Sequence, residues 1–423
     1  MSDEVPAVAE PLPVAGHPPA ADGDEGGAPR SDPSTGLTMA RLSDLSDSPL
    51  VTGGVLLLVG VCFVAARLIL VAHGHISFFV IAGSQFVNPA QAPHGLVIMK
   101  GQGYDGQFYY RLALAPWKLG PTAYGITIDS TLRDGRIGYP VLAWLASFGQ
   151  RALVPYSLVA VNVVALAFTG FFSGKWAHSF GRHALWGLLP AGYFGLEYSL
   201  SRDLTEITSI ALVIGGIVAW RRGHAILAGL SFGGAVLCRE TALVVVAALL
   251  VTRVFEVVRR HQRIGRDDAA WAIPLVAYGA WEVVVRIATG AYPVRTGRGN
   301  IGVPFAGLFH AARYWVEHPH RAELIQLLQL AVLLTVVVLA LVNLRRTQAS
   351  SFERLAFLFA LVLTVSLSTS VWNNDPREFR TMIELFVLGS GILLGTRAFR
   401  PLVVTGMTWG LWVVVAGLTL RAA

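Results

Sequence analysis

Charge and cysteine are both scarce in this chain. Of its 423 residues only 14% are charged and two are cysteine, whereas 54% are hydrophobic and the mean hydropathy is +0.57. This composition excludes an ordinary soluble domain. Cys62 and Cys238 fall within or at the end of apolar runs, and their spacing fits neither a zinc site nor a disulfide framework.

Two further motifs are missing. No glycine-rich phosphate loop follows a strand, and the Gly-Gln-Gly run at 101–103 lacks that context, so a soluble nucleotide-sugar site is not indicated. His310, His318 and His320 lack the helical spacing of metal ligands and are expected to lie in a solvated loop. We therefore assign no metal-ligating residues.

Long apolar runs are what the chain has in abundance. Leu50–Ala72 and Leu402–Leu420 each approach the roughly 20 residues that cross the hydrocarbon core of a bilayer. Because lipid offers the backbone no hydrogen-bond partners, such continuous runs predict helices. We predict an all-α integral membrane protein with about eleven transmembrane helices. The predicted spans lie near 50–72, 154–176, 184–200, 203–220, 224–238, 240–257, 269–288, 322–344, 353–371, 380–396 and 402–420.

The chain divides into two regions. Residues 1–49 are rich in Ala, Pro, Gly and Asp and lack both an apolar run and a cleavable signal pattern, which predicts a disordered cytoplasmic tail. Residues 50–423 are predicted to form a polytopic membrane domain with exoplasmic loops near 73–153, 289–321 and 372–380. The formal net charge of +7 suits contact with anionic membrane lipids, and nothing indicates nucleic-acid binding.

The basic residues of the short loops predict the orientation. With the tail inside the cell, alternate loops face the cytoplasm, and these carry the basic clusters, as the positive-inside rule requires. The clusters contain Lys175, Arg182, Arg221, Arg222, Arg253, Arg259, Arg260, Arg263, Arg266, Arg345, Arg346, Arg397 and Arg400. The basic loops all fall on the cytoplasmic side only if the segment 139–148 does not cross the membrane. That segment is too short to cross, and we expect it to lie in the interface or to enter as a half-helix.

Acids and arginines collect on the opposite, exoplasmic side. The densest cluster is Y-D-G-Q-F-Y-Y-R at 104–111. On a short helix from 106 to 115, Asp105 precedes Tyr109 by four residues and Gln107 precedes Arg111 by four, which forms two adjoining polar edges. Arginines grouped with acids in this way suit a phosphate or pyrophosphate ligand. The other members are Asp129, Asp134, Asp203, Glu206, Glu240, Asp375, Glu378, Arg136, Arg202, Arg239, Arg295, Arg298, Arg377 and Arg380.

Several of these residues also have purely structural interpretations. Asp105 could cap the short helix, which Pro116 follows. The segments 203–206 and 375–378 both resemble capping boxes. Arg239 and Glu240 could form an ion pair within the turn between two spans. Charges in a membrane protein are costly, however, and this favours function for the set as a whole.

The order of the motifs resembles a known group of enzymes. After the first span come Y-D-G-Q-F-Y-Y-R-L-A at 104–113, R-I-G-Y-P-V-L-A-W-L at 136–145 and C-R-E-T-A-L at 238–243. Over residues 50–420 the chain resembles bacterial polytopic membrane proteins of cell-surface glycopolymer formation, which look like members of the GT-C glycosyltransferase superfamily. The resemblance implies a GT-C-like fold, an active site on the exoplasmic face of the plasma membrane and a polyprenyl-phosphate sugar donor. It also implies a catalytic acid in the first large loop, where Asp105 is the matching position.

One feature departs from the family pattern. Many GT-C enzymes carry two adjacent acids in the first loop, whereas Asp105 stands between Tyr104 and Gly106. The identity of a second acid and the need for a divalent cation are therefore left open, and no cofactor is specified.

The resemblance implies transfer of a sugar from the lipid phosphate to a cell-envelope glycan or lipid acceptor, and these residues fit that chemistry. Asp105 is the predicted general base, with Glu206 and Glu240 as further catalytic acids. The alternative is a polyprenyl-linked sugar flippase or transporter, which should show repeat-related halves, and a non-catalytic scaffold is a third possibility. The predicted substrate-binding residues are Tyr104, Gln107, Tyr109, Arg111, Arg202, Arg239, Arg377 and Arg380.

Overall fold

The chain is mostly helical over the residues that the structure describes. This computed structural model describes residues 46–261, 263, 265–372 and 378–421. The predicted tail at 1–49 lies outside the described residues except for its end. There the Ser48 Oγ accepts a hydrogen bond from the Leu50 N–H at 3.3 Å, and Pro49 occupies the first turn of the helix that follows.

The described α-helices follow the apolar runs of the sequence. They are α1 (Pro49–Leu70), α2 (Gly106–Leu114), α3 (Leu132–Gly135), α4 (Gly138–Ala146), α5 (Val154–His178), α6 (Leu188–Ala191), α7 (Phe194–Leu200), α8 (Glu206–Arg221), α9 (Ala225–Cys238), α10 (Leu243–Arg260), α11 (Ala269–Thr289), α12 (Pro293–Thr296), α13 (Ala306–Glu317), α14 (Arg321–Asn343), α15 (Ser351–Val365), α16 (Thr369–Trp372), α17 (Ile383–Leu394) and α18 (Leu402–Thr419). Short 3₁₀ helices are Ile76–Val80, Arg151–Leu153, Ala184–Gly187, Glu240–Ala242, Arg266–Asp268, Gly297–Asn300 and Glu378–Met382.

Six of the described helices are long and apolar enough to cross a membrane. With their leading 3₁₀ turns they are Pro49–Leu70, Arg151–His178, Glu240–Arg259, Arg266–Thr289, Arg321–Asn343 and Leu402–Thr419. Four other predicted spans are shorter helices of 12 to 16 residues, namely α8, α9, α15 and α17. The chain thus has the helices of a membrane protein, and the count of about eleven spans stays a prediction.

The predicted span at 184–200 is not one helix. It consists of the 3₁₀ turn Ala184–Gly187 followed by α6 and α7, with a break at Gly192. A Cβ at Gly192 would lie 2.5 Å from Nε1 of Trp409 on α18, so glycine allows the last helix to pack against the break. Apolar composition could not locate this break, because the partner comes from the far end of the chain.

Small residues let α1 and α5 approach each other closely. On α5, a Cβ at Gly170 would lie 2.6 Å from the carbonyl oxygen of Thr52, and one at Gly174 would lie 3.1 Å from Cα of Pro49. On α1, a Cβ at Gly53 would lie 3.1 Å from the carbonyl oxygen of Ala167. Close backbone contact of this kind is a main source of helix association in lipid.

The segment 73–153 carries the remaining small elements. Strand β1 (Ala82–Gly83) pairs in parallel with β2 (Ile98–Met99), and β3 (Thr122–Ala123) pairs antiparallel with β4 (Ile126–Thr127). A Cβ at Gly83 would lie 2.2 Å from the backbone nitrogen of Gly103, which itself has φ +69°. The glycines at 101 and 103 therefore allow this part of the chain to pass directly against the backbone at Gly83.

Helix α4 occupies the short apolar segment near 139–148. It has nine residues, with Tyr139 and Ala143 buried and Leu142 and Leu145 exposed. A helix of this length rises only about 14 Å and cannot cross a bilayer. Its two unlike faces fit the expected interfacial or half-inserted position.

Candidate functional site

A cavity of about 960 Å³ lies where the segment 73–153 meets the ends of several helices. Six parts of the chain line it: the residues before α2, helix α3, the start of α10, the residues after α11, the end of α15 and the residues before α17. Residues from distant parts of the sequence thus share one cavity. The acids and arginines of this wall are Asp105, Asp129, Arg133, Arg136, Arg239, Glu240, Arg295, Arg298 and Arg380.

Asp105 directly precedes α2 but does not cap it. Its backbone already has helical angles, φ −56° and ψ −29°, and its side chain makes no capping hydrogen bond. A capping residue normally has extended angles that turn its oxygen back onto the helix. The Asp105 carboxylate instead faces the cavity, where it lies 2.9 Å from Arg133 and 3.2 Å from Arg380, with 13% of the side chain exposed. The capping interpretation of Asp105 is therefore wrong.

The arginines around Asp105 keep it ionised. Burial by itself would raise the pKa of this carboxyl, but the charges of Arg133, Arg380 and Arg136 outweigh burial and hold the pKa below its ordinary value. At neutral pH the cavity therefore contains a carboxylate that is accessible from one side.

Helix α3 and the residue that follows it supply two of the wall arginines. Arg133 lies between Asp105 and Asp129, 3.5 Å from the Asp129 carboxylate. Three residues later, on the adjoining part of the chain, Arg136 donates to both oxygens of Glu240 at 2.8 and 2.6 Å. Arg136 also donates to the Tyr109 hydroxyl at 3.0 Å. The short α3 thus joins the start of α2 to the turn before α10.

Glu206 lies behind the cavity wall. It begins α8, is fully buried, and accepts hydrogen bonds from both Arg239 and Arg380. Arg239 also lies 3.8 Å from the Glu384 carboxylate. Glu206 therefore holds two wall arginines from the protein side, outside the surface that a ligand in the cavity would touch.

Two local interpretations of these charges are corrected by the structure. Arg239 and Glu240 do not pair with each other, because Arg239 pairs with Glu206 while Glu240 pairs with Arg136. No capping box forms at 203–206. The residue before α8 is Thr205 rather than Asp203, and no side chain caps the start of this helix. Asp203 itself has φ +50°. The segment 375–377, with its predicted capping box and Arg377, lies outside the described residues.

Of the predicted sugar-site residues near Asp105, two line the cavity and one is buried behind its wall. Tyr104 lines the cavity, and its hydroxyl accepts a hydrogen bond from Arg380 at 3.3 Å. Gln107 also lines it, but its amide is engaged by the backbone, accepting from Gly83 and donating to Gln102, each at 3.0 Å. Tyr109 is buried and does not reach the wall.

Two arginines that were predicted to bind substrate do not line the cavity. Arg111 is buried, lies 3.7 Å from Asp134 and donates to the carbonyl oxygen of Gly120. Arg202 stacks on the Tyr198 ring at 3.7 Å and donates to the Ser201 hydroxyl at 2.8 Å. Both arginines support the segment around Asp105 from the protein side.

Arg133 is the wall residue that the sequence analysis missed. It approaches Asp105 more closely than any arginine that the sequence singled out. A signal was present as Arg-Asp-Gly-Arg at 133–136, because Arg133 lies only three residues before Arg136, which the sequence had singled out.

The cavity carboxylates do not fit a divalent cation. Asp105, Asp129 and Glu240 each face a guanidinium. Within the described ranges, no three His, Cys, Asp or Glu side chains group so that they could hold a metal ion. His318 is exposed and contacts the Tyr314 carbonyl oxygen at 3.0 Å. No step proposed below therefore uses a metal.

Comparisons with known proteins add no relative. No protein-family model matches the chain, and no curated protein and no solved structure matches it either.

Proposed function

We propose that this chain is a membrane glycosyltransferase of the GT-C type. It moves a sugar from a polyprenyl-phosphate donor to a cell-envelope glycan or lipid acceptor, on the exoplasmic face of the plasma membrane. About eleven helices hold the cavity in the bilayer. The observation that carries the proposal is the Asp105 carboxylate, which is not used for capping and faces a large arginine-lined cavity.

In this reaction Asp105 acts on the acceptor hydroxyl. The acceptor oxygen forms a bond to the anomeric carbon of the donor sugar while the bond from that carbon to the phosphate oxygen breaks. The hydroxyl proton passes to the Asp105 carboxylate, and polyprenyl phosphate leaves with the bonding electrons. A positioned carboxylate base typically contributes about 10²–10⁴-fold to such a transfer.

The lowered pKa of Asp105 is compatible with this role. A hydroxyl becomes strongly acidic once its oxygen begins to bond to the anomeric carbon, so the base need not be strong in the ground state. An ionised carboxylate at neutral pH is what the step requires, and the flanking arginines provide it. The same positive field stabilises the phosphate charge that grows as the donor bond breaks.

The position of the cavity favours a transferase over a transporter. Helix α8 begins at Glu206, behind the cavity, and ends at Arg221, which pairs at 2.7 Å with Glu353 near the start of α15. The polar groups of the site therefore collect at one end of α8. A transporter is expected to place its site near the bilayer midplane, between two related halves.

Reconstitution into vesicles tests the proposal. The full-length protein is supplied with a polyprenyl-phosphate sugar, with membrane extract as the source of acceptor. A transferase releases polyprenyl phosphate in proportion to the sugar transferred, whereas a transporter moves the lipid across the bilayer without releasing it. Translocation without release would reject the proposal. Mass spectrometry of envelope glycans from a deletion strain then identifies the sugar.

A further inference from the structure

The inner arginines of the cavity are already paired. Arg133 faces Asp105 and Asp129, and Arg136 faces Glu240. Arg239 faces Glu206 and Glu384, and Arg380 faces Asp105 and Glu206. Four guanidinium groups thus contact five carboxylates. A phosphate that bound directly to these four arginines would compete with the carboxylates that they already contact.

Two arginines of the same wall differ from this inner group. Arg295 and Arg298 line the cavity and are exposed. Among the described residues neither has a carboxylate within ion-pair distance, although Arg295 lies near the Tyr292 ring, 5.4 Å from its centre. Their positive charge is therefore available to an anionic ligand, at the open edge of the cavity.

The segment that carries these arginines is fixed in place. A Cβ at Gly135 on α3 would lie 2.9 Å from Pro293, and the hydroxyls of Thr296 and Thr131 are 3.2 Å apart. Further along, the Gly302 N–H donates to the Ser366 carbonyl oxygen at 2.8 Å. The arginines thus stand between two attachments, one to α3 and one to the end of α15.

The residues that follow are apolar and exposed, although they lie outside the six long apolar helices. Val303 is 72% exposed and Phe309, on α13, is 69% exposed, and Ile301 and Phe305 are exposed beside them. An apolar strip next to two unpaired cations has the chemistry of an anionic lipid: a charged headgroup with a hydrocarbon tail.

We infer that Arg295 and Arg298 bind the phosphate of the lipid-linked donor at the cavity edge, and that the strip Ile301–Phe309 contacts the first isoprenoid units of its tail. The inference rests on the proposed function, because it assigns that donor to a particular edge. It places the sugar inward of the phosphate, towards Asp105, and leaves the inner salt bridges intact when the donor binds.

Binding measurements on the purified full-length protein in detergent test this inference without turnover. The probes are farnesyl phosphate, farnesol and inorganic pyrophosphate. The double variant Arg295→Ala/Arg298→Ala should weaken farnesyl phosphate binding by at least about tenfold, as expected for losing charge-assisted hydrogen bonds. Farnesol binding should not change. Val303→Ser/Phe309→Ser should weaken both prenyl probes and leave pyrophosphate binding unchanged.

The matched control is Arg313→Ala, because Arg313 is an exposed arginine on α13 that pairs with Glu317 at 2.7 Å and does not line the cavity. This variant should bind all three probes like the wild type. Unchanged farnesyl phosphate binding in the double variant would overturn the inference, as would equal losses in the Arg313→Ala control. Farnesyl phosphate binding that depends on both arginines, in a protein that transfers no sugar, would instead keep Arg295 and Arg298 as a prenyl-phosphate site and reject the proposed function.

Discussion

Asp134, an acid on α3, is buried in a way that disfavours its ionised form. It is buried, Arg111 lies 3.7 Å from its carboxylate, and Trp281 donates to its backbone carbonyl at 2.9 Å. Burial raises the pKa of Asp134 to about 6, although Arg111 acts in the opposite direction. Because Arg133 directly precedes Asp134 and Arg136 follows it by two residues, the protonation state of Asp134 bears on the segment that supplies both arginines.

The raised pKa predicts a dependence of stability on pH. Between its ordinary value of 3.8 and about 6, Asp134 binds its proton more tightly in the folded state than in the unfolded state. Its contribution to the free energy of unfolding should therefore fall by about 3 kcal/mol as pH rises through this window. Melting in detergent at pH 4 and pH 7 spans this window: Asp134→Asn should show a smaller loss of stability between the two values than the wild type. Equal pH dependence in the two proteins would contradict the assignment.

At this scale the sequence indicates which residues carry charge but not which partners they meet. Asp105 stood out because an acid, an amide and several tyrosines occur together at 104–111. Its closest partner, Arg133, could not be identified, since that pairing depends on how α3 packs beside α2. Arg239 likewise pairs with Glu206 rather than with its sequence neighbour Glu240. Tertiary packing determines which ion pairs form between separate elements, and the spacing of residues in the sequence does not predict them.

At the scale of elements, the position of Asp105 depends on the glycine that follows it. A Cβ at Gly106 would lie 2.2 Å from the carbonyl oxygen of Arg202 and 2.8 Å from that of Val80. Both contacts are with backbone, so they cannot be relieved by a side-chain rotation. The first turn of α2 therefore packs directly on the turn before α8.

Gly106→Ala should displace α2 and the carboxylate that precedes it. We expect a loss of sugar transfer of at least about tenfold and a lower melting temperature, because overpacking costs about 1–3 kcal/mol. The control is Gly279→Ala on α11, where an added Cβ meets nothing within 4 Å. That variant should be as stable as the wild type or slightly more stable, since alanine is the better helix former. A fully active Gly106→Ala protein would show that the contact with Arg202 does not position Asp105.

Most helices were predictable from their apolar runs, and the exceptions have identifiable causes. The short helix after Asp105 was expected at 106–115 and is found at Gly106–Leu114. The run at 184–200 was expected as one helix, but it breaks at Gly192 where Trp409 packs. A composition window detects that a segment is apolar. It does not detect a contact with a helix more than two hundred residues away.

At the scale of the whole molecule, the orientation in the membrane can be tested by labelling. In a Cys62→Ala background, single cysteines replace the exposed residues Lys100, Asn300, Arg222 and Arg346. A membrane-impermeant thiol reagent applied to intact cells should label positions 100 and 300. It should label positions 222 and 346 only after the membrane is permeabilised, because the basic loops are expected on the cytoplasmic side. The reverse pattern would place the cavity in the cytoplasm and remove the basis for an exoplasmic lipid donor.

The molecule as a whole brings the charges of five chain segments into one cavity, and we assign the central chemical role there to Asp105. Asparagine is nearly isosteric with aspartate, so Asp105→Asn removes the base while changing the shape of the wall very little. Asp129→Asn is the matched control, because Asp129 lies on the same wall and also pairs with Arg133.

The most direct test is the release of polyprenyl phosphate by these variants in reconstituted vesicles, with melting temperature as a check on folding. We predict that Asp105→Asn lowers turnover by at least about 10²-fold while the protein remains folded, and that Asp129→Asn stays within about threefold of the wild type. A folded Asp105→Asn protein with near-normal turnover would contradict the account.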